Sequence, residues 1–203
     1  MSLSAHDNTA ALGTSPWRHL PNALTLARIA LVLPLVWTIA RHRFDSALGI
    51  VAVAGFTDAL DGFLAKRCGW QSWLGGVLDP IADKLLLIAC FVSLWLAGVF
   101  PLWLTSLVIG RDLVIAAGAA AYHFLIGRVT PQPSLLSKVT TCIQICCVLV
   151  VLMDRAHFIE LPPRFIDGGF ALTALATAAS GVHYVVTWSL KALRAHASKE
   201  KIA

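Results

Sequence analysis

The chain has 203 residues, of which 58% are hydrophobic and only 13% charged, and its mean hydropathy is +0.76. A soluble domain carries roughly 25% charge, so the composition excludes an ordinary cytosolic fold and predicts an all-α integral membrane protein. The net charge of +5 comes from Lys and Arg near the ends of apolar runs, which points to topology and anionic headgroups rather than nucleic acid.

The N-terminal stretch 1–19 is polar, lacks a basic cleavable leader pattern, and ends in an interfacial Pro16-Trp17-Arg18-His19 segment. Apolar runs follow at about 24–40, 46–64, 78–99, 102–126, 135–153 and 168–190, each near the ~20 residues that a membrane helix needs. They predict a bundle of six transmembrane helices over 20–192, read as one domain, with a basic tail at 193–203. Arg18, Lys66, Arg67, Arg128, Lys138, Lys191, Arg194, Lys199 and Lys201 fall on one side, against Arg41, Arg43, Arg155 and Arg164 on the other. The positive-inside bias then puts both termini and the 65–77 loop in the cytoplasm.

Four of the eleven acidic residues, Asp58, Asp61, Asp79 and Asp83, cluster where the second run ends and the third begins. Residues three or four apart share a helix face, so each pair points one way, and a short connection makes the two helices antiparallel neighbours. Ionised carboxylates at membrane depth are costly and mark function. Their mutual repulsion calls for a strong positive partner, most simply one or two divalent ions such as Mg²⁺ or Mn²⁺. Gly62 and Gly75-Gly76 suit close approach of a ligand or, equally, tight helix packing. Lys66, Arg67 and Lys84 either neutralise the aspartates or meet phosphates.

Cys90, Cys142, Cys146 and Cys147 lie in apolar runs and read as small buried hydrophobes, with Cys68 a free thiol in the cytoplasmic loop. Only His123 and His183 among seven histidines fall within runs, and the seven tryptophans sit mainly near run ends, as interfacial residues do.

The motif Asp58-x-x-Asp61-Gly62-x-x-Ala65, then Gly75-x-x-x-Asp79-x-x-x-Asp83, resembles that of the CDP-alcohol phosphatidyltransferases at every acidic and glycine position. One departure is Lys66, where the family usually has arginine; either Lys66 or the adjacent Arg67 takes that role. Pro21 to Arg28 resembles the family's opening segment. Gly110-Arg111-Asp112 and the Ser134–Thr141 stretch resemble the branch that makes phosphatidylglycerol phosphate and cardiolipin, nearer the cardiolipin-synthase type.

The resemblance implies phosphatidyl transfer from CDP-diacylglycerol to an alcohol with release of CMP, in a membrane homodimer. It implies Asp58, Asp61, Asp79 and Asp83 as metal ligands, with Asp83 also the general base. It implies nucleotide contacts from Pro21, Asn22, Ala23, Leu24, Gly62, Lys66, Ser72 and Gly75. Ser72 is also an ordinary turn residue. Arg111 and Lys138 are candidates for an anionic acceptor. The other reading of Arg111 is an ion pair with Asp112 or a site aspartate, and of Lys138 a basic anchor. The expected acceptor is phosphatidylglycerol, with glycerol 3-phosphate the alternative. An intramembrane prenyltransferase and a cation or proton transporter are remoter readings; the first expects two separated Asp-rich loops, the second inverted repeats.

Overall fold

The computed structural model describes the backbone over residues 20–68, 73–125 and 135–200, and side chains over 25–58, 81–118, 120 and 135–189. Six helices account for nearly all of it: α1 (Leu20–Ala40), α2 (Phe44–Cys68), α3 (Trp73–Leu96), α4 (Leu102–Leu125), α5 (Leu135–Arg155) and α6 (Pro163–Glu200). The fold class is all-α. By length and composition, Leu135–Arg155 and Pro163–Ser189 are apolar enough to cross a membrane, and Thr25–Ala40 is a shorter apolar helix.

The connection between α2 and α3 is shorter than the hydropathy suggested. Helix continues through Cys68 and resumes at Trp73, so most of 65–77 is helical rather than loop. Ala65-Lys66-Arg67 are good helix formers, and polarity alone does not end a helix whose backbone bonds are internal. Helix α6 likewise runs to Glu200, beyond the apolar limit near 190. Its Pro163 start is apt, because the first helical N–H has no partner to lose.

The three turns opposite the α2–α3 connection share one device. In each, a left-handed residue follows the helix end: His42 (φ 55°), Gly98 (φ 73°) and His157 (φ 59°). Its N–H bonds back three residues, and the next N–H bonds back five, as in Arg43 to the Thr38 carbonyl, Val99 to Leu94 and Phe158 to Met153. This is the Schellman pattern, which satisfies the last carbonyls of α1, α3 and α5.

Helix α1 packs on both α2 and α3, α6 packs on α4 and α5, and α2 meets α5. The apolar core gathers at the end bearing those three turns. It holds Leu35, Ile39, Phe91, Leu94, Leu104 and Leu152, with Phe91, Phe100 and Phe170 edge to face at 5.0 and 5.2 Å. Outward faces carry Leu33, Phe56, Leu113 and Leu175. Toward the other end the interior turns polar, with Thr25, Arg28, Arg111, Thr140, Gln144, Thr177 and Ser180 all buried. Gly118 lets the Tyr184 ring pass close enough for its hydroxyl to donate to the Ile115 carbonyl at 3.0 Å, joining α4 to α6.

Cys90 and Cys147 are buried as expected, but Cys142 and Cys146 are exposed on α5. An apolar helix with one exposed side shows thiols outward as readily as inward, and hydropathy does not tell the two faces apart.

Candidate active site

Arg28 lies two turns into α1 and is 1% exposed. Its Nη2 stands 2.8 Å from Asp58 Oδ1 on α2, and its Nη1 donates to Asp83 Oδ1 on α3. The two halves of the aspartate motif therefore meet on one guanidinium. The carboxylates themselves are about half-exposed, 49% and 48%. Asp61 follows Asp58 by one turn of α2, and Asp79 precedes Asp83 by one turn of α3. The side chains of Asp61 and Asp79 lie outside the described residues, as do those of Pro21, Asn22, Ala23, Leu24, Lys66 and Ser72, and so do any contacts made at Gly62 and Gly75.

A second polar cluster adjoins the first. Lys84, next to Asp83 in α3, donates to both oxygens of Asp112 on α4 at 2.7 Å. Arg111 Nη1 donates to Asp112 Oδ1 at 2.7 Å, and its Nη2 donates to Ser137 of α5 at 2.6 Å and Ser180 of α6 at 2.7 Å. One carboxylate thus neutralises two cations, and the fork of Arg111 ties three helices. A buried guanidinium needs such partners. Lys138, one residue beyond Ser137, is exposed on α5. Below this cluster Gln144 Nε2 donates to Thr177 Oγ1 at 3.0 Å, continuing the polar seam between α5 and α6.

A family model described as CDP-alcohol phosphatidyltransferase matches residues 18–189. The chain belongs to the CDP-alcohol phosphatidyltransferase family. It is 34% identical over 196 residues to a human protein named cardiolipin synthase (CMP-forming), covering 87% of this chain and 64% of that one. A Streptomyces coelicolor protein of the same name is 37% identical over 130 residues, 60% of this chain and 59% of its own. A Bacillus subtilis protein named CDP-diacylglycerol–glycerol-3-phosphate 3-phosphatidyltransferase is 29% identical over 182 residues, 82% of this chain and 93% of its own. The chain thus spans less than two thirds of the human and Streptomyces relatives.

Within this family member, Arg28 is the site residue that the sequence placed in the Pro21–Arg28 segment without giving it a role. The signal was a lone arginine inside the 24–40 apolar run, where an unpaired cation is costly. Asp112 was legible only as a partner for Arg111. Its bond to Lys84 depends on how α3 faces α4, which spacing along one helix does not encode. Ser137 was legible only as part of the Ser134–Thr141 stretch and Ser180 carried no signal, since small hydroxyl residues are common where apolar helices pack.

Hard oxygen donors suit Mg²⁺ or Mn²⁺. Asp58 and Asp83 come from different helices, converge on one cation and keep half their surface open, so the residues present fit a divalent ion. The described residues alone form no group of three potential ligands; a fuller set needs Asp61 and Asp79. A groove of about 410 Å³ lined by Gly98, Phe100, Trp103, Asp167 and Phe170 lies at the other end of the bundle, among the turns. It brings together no comparable set of charges.

Proposed function

We propose that this chain is a multi-pass membrane enzyme that transfers the phosphatidyl group of CDP-diacylglycerol to phosphatidylglycerol, releasing CMP and forming cardiolipin. The observation that carries the reading is the meeting of Asp58 and Asp83 at the polar end of the bundle, within a matched family domain. All six helices cross the membrane on this reading, with the polar end and both termini cytoplasmic, because the basic residues concentrate there.

Asp58, Asp61, Asp79 and Asp83 hold one or two divalent ions. The ions, when bound, offset the diphosphate's charge and stabilise CMP as leaving group. Asp83 accepts the proton from the acceptor hydroxyl as that oxygen bonds to the phosphatidyl phosphorus and the bond from phosphorus to the CMP oxygen breaks. By the family resemblance, Pro21, Asn22, Ala23, Leu24, Gly62, Lys66, Ser72 and Gly75 are assigned to the nucleotide. Lys138 and Arg111 flank the acceptor side, Lys138 by direct charge.

The internal bonding of Arg111 supports a lipid acceptor. Its fork is occupied by Asp112, Ser137 and Ser180, leaving little exposed cation for a small soluble phosphate ester, whose binding rests on charge. The long match to the Bacillus protein favours glycerol 3-phosphate as the second reading, with phosphatidylglycerol phosphate as product. Purified protein given CDP-diacylglycerol, Mg²⁺ or Mn²⁺ and each acceptor in turn decides between them. CMP and cardiolipin with phosphatidylglycerol are expected. Turnover with glycerol 3-phosphate alone would transfer the assignment to the second reading.

A further inference from the structure

We infer that Arg28 is a resident counter-cation of the aspartate site, standing between α2 and α3 where a divalent ion otherwise supplies the positive charge. Among the described residues α2 and α3 make no direct helix contact, and α1 packs against both. The two carboxylates are therefore brought together through α1, at a side chain that is 99% removed from solvent by its 1% exposure. Such burial is unusual for arginine unless it is paired.

The manner of pairing separates Arg28 from a structural arginine. Arg111, equally buried, places its two terminal nitrogens on three well-formed acceptors. In Arg28 only Nη1 makes a hydrogen bond, to Asp83. Nη2 meets Asp58 at 2.8 Å without hydrogen-bond alignment, which is where the two differ, since the Nε of each is buried without a partner. The guanidinium is held by charge more than by fit. A divalent ion entering the same carboxylates competes with it, and in the metal-free protein Arg28 screens the repulsion between Asp58 and Asp83.

The inference rests on reading the aspartates as a metal site, and the test separates the two. Thermal unfolding and Mn²⁺ binding, followed by the loss of the free-ion paramagnetic resonance signal, are measured on the purified full chain in detergent, for the parent, Arg28→Met and Arg28→Lys. Expected for Arg28→Met is a metal-free Tm lower by about 5 °C or more, with a larger rise on Mn²⁺ addition and several-fold tighter Mn²⁺ binding. Arg28→Lys, which keeps charge, falls between; it carries the test if Arg28→Met does not fold. An unchanged metal-free Tm, or Mn²⁺ binding weaker than in the parent, overturns the inference and makes Arg28 a plain strut. If the parent binds no Mn²⁺, the metal reading fails by itself. Arg28 is then judged by whether Asp58→Asn with Asp83→Asn restores the Tm of Arg28→Met: restoration upholds the counter-cation, and its absence overturns it.

Discussion

Asp83 carries three demands at once: it pairs with Arg28, and on the proposed chemistry it holds a divalent ion and takes the proton of the attacking hydroxyl. Asp83→Asn keeps the shape and an acceptor oxygen but removes the base. Turnover is expected to fall by at least about 100-fold, the usual worth of a positioned base, while CDP-diacylglycerol binding measured by nucleotide competition stays within a few-fold. Near-normal turnover at saturating metal would remove Asp83 from that role. Asp112 makes a different prediction. It is the shared counter-charge of Lys84 and Arg111, so Asp112→Asn leaves a buried guanidinium short of its anion. A loss of about 3 kcal/mol in unfolding stability is expected, read by denaturant titration in detergent, and Asp112→Glu should recover part of it.

At the scale of helices, the apolar runs and the prolines located every element, because a long apolar run bounded by prolines favours a helix. They missed the ends. Helix persists through Ala65-Lys66-Arg67 and along the charged tail of α6, since backbone hydrogen bonding does not stop where hydropathy falls. The Schellman turns were also invisible, because two of them place histidine where glycine is usual. A non-glycine residue there costs roughly 1–2 kcal/mol, partly offset by the greater chain entropy that glycine loses on folding. His157→Gly is therefore expected to stabilise the protein by about 0.5 kcal/mol, seen as a small rise in Tm, with His157→Val lowering it.

Over the whole molecule, polarity is graded along the bundle: an aromatic and aliphatic core near the three turns, and ionic clusters toward the α2–α3 end. The aspartate spacing announced that Asp58 and Asp83 would share an end. That α1 supplies the cation joining them was not legible, because it depends on which helices are neighbours rather than on any one helix. The same gradient gives a topology test. Cysteine placed at Glu160, exposed among the turns, should react with a membrane-impermeant maleimide from outside intact cells, whereas cysteine at the exposed Lys138 should react only after the cells are opened. The reverse pattern would invert the orientation.

The most direct test of the whole account is CMP release by the purified chain from CDP-diacylglycerol and phosphatidylglycerol, titrated with Mg²⁺, for the parent and for Asp61→Asn and Asp79→Asn. The account predicts release that needs the divalent ion, yields cardiolipin in equal amount, and is abolished by either substitution. Release that persists in excess chelator, or survives both substitutions, would contradict it.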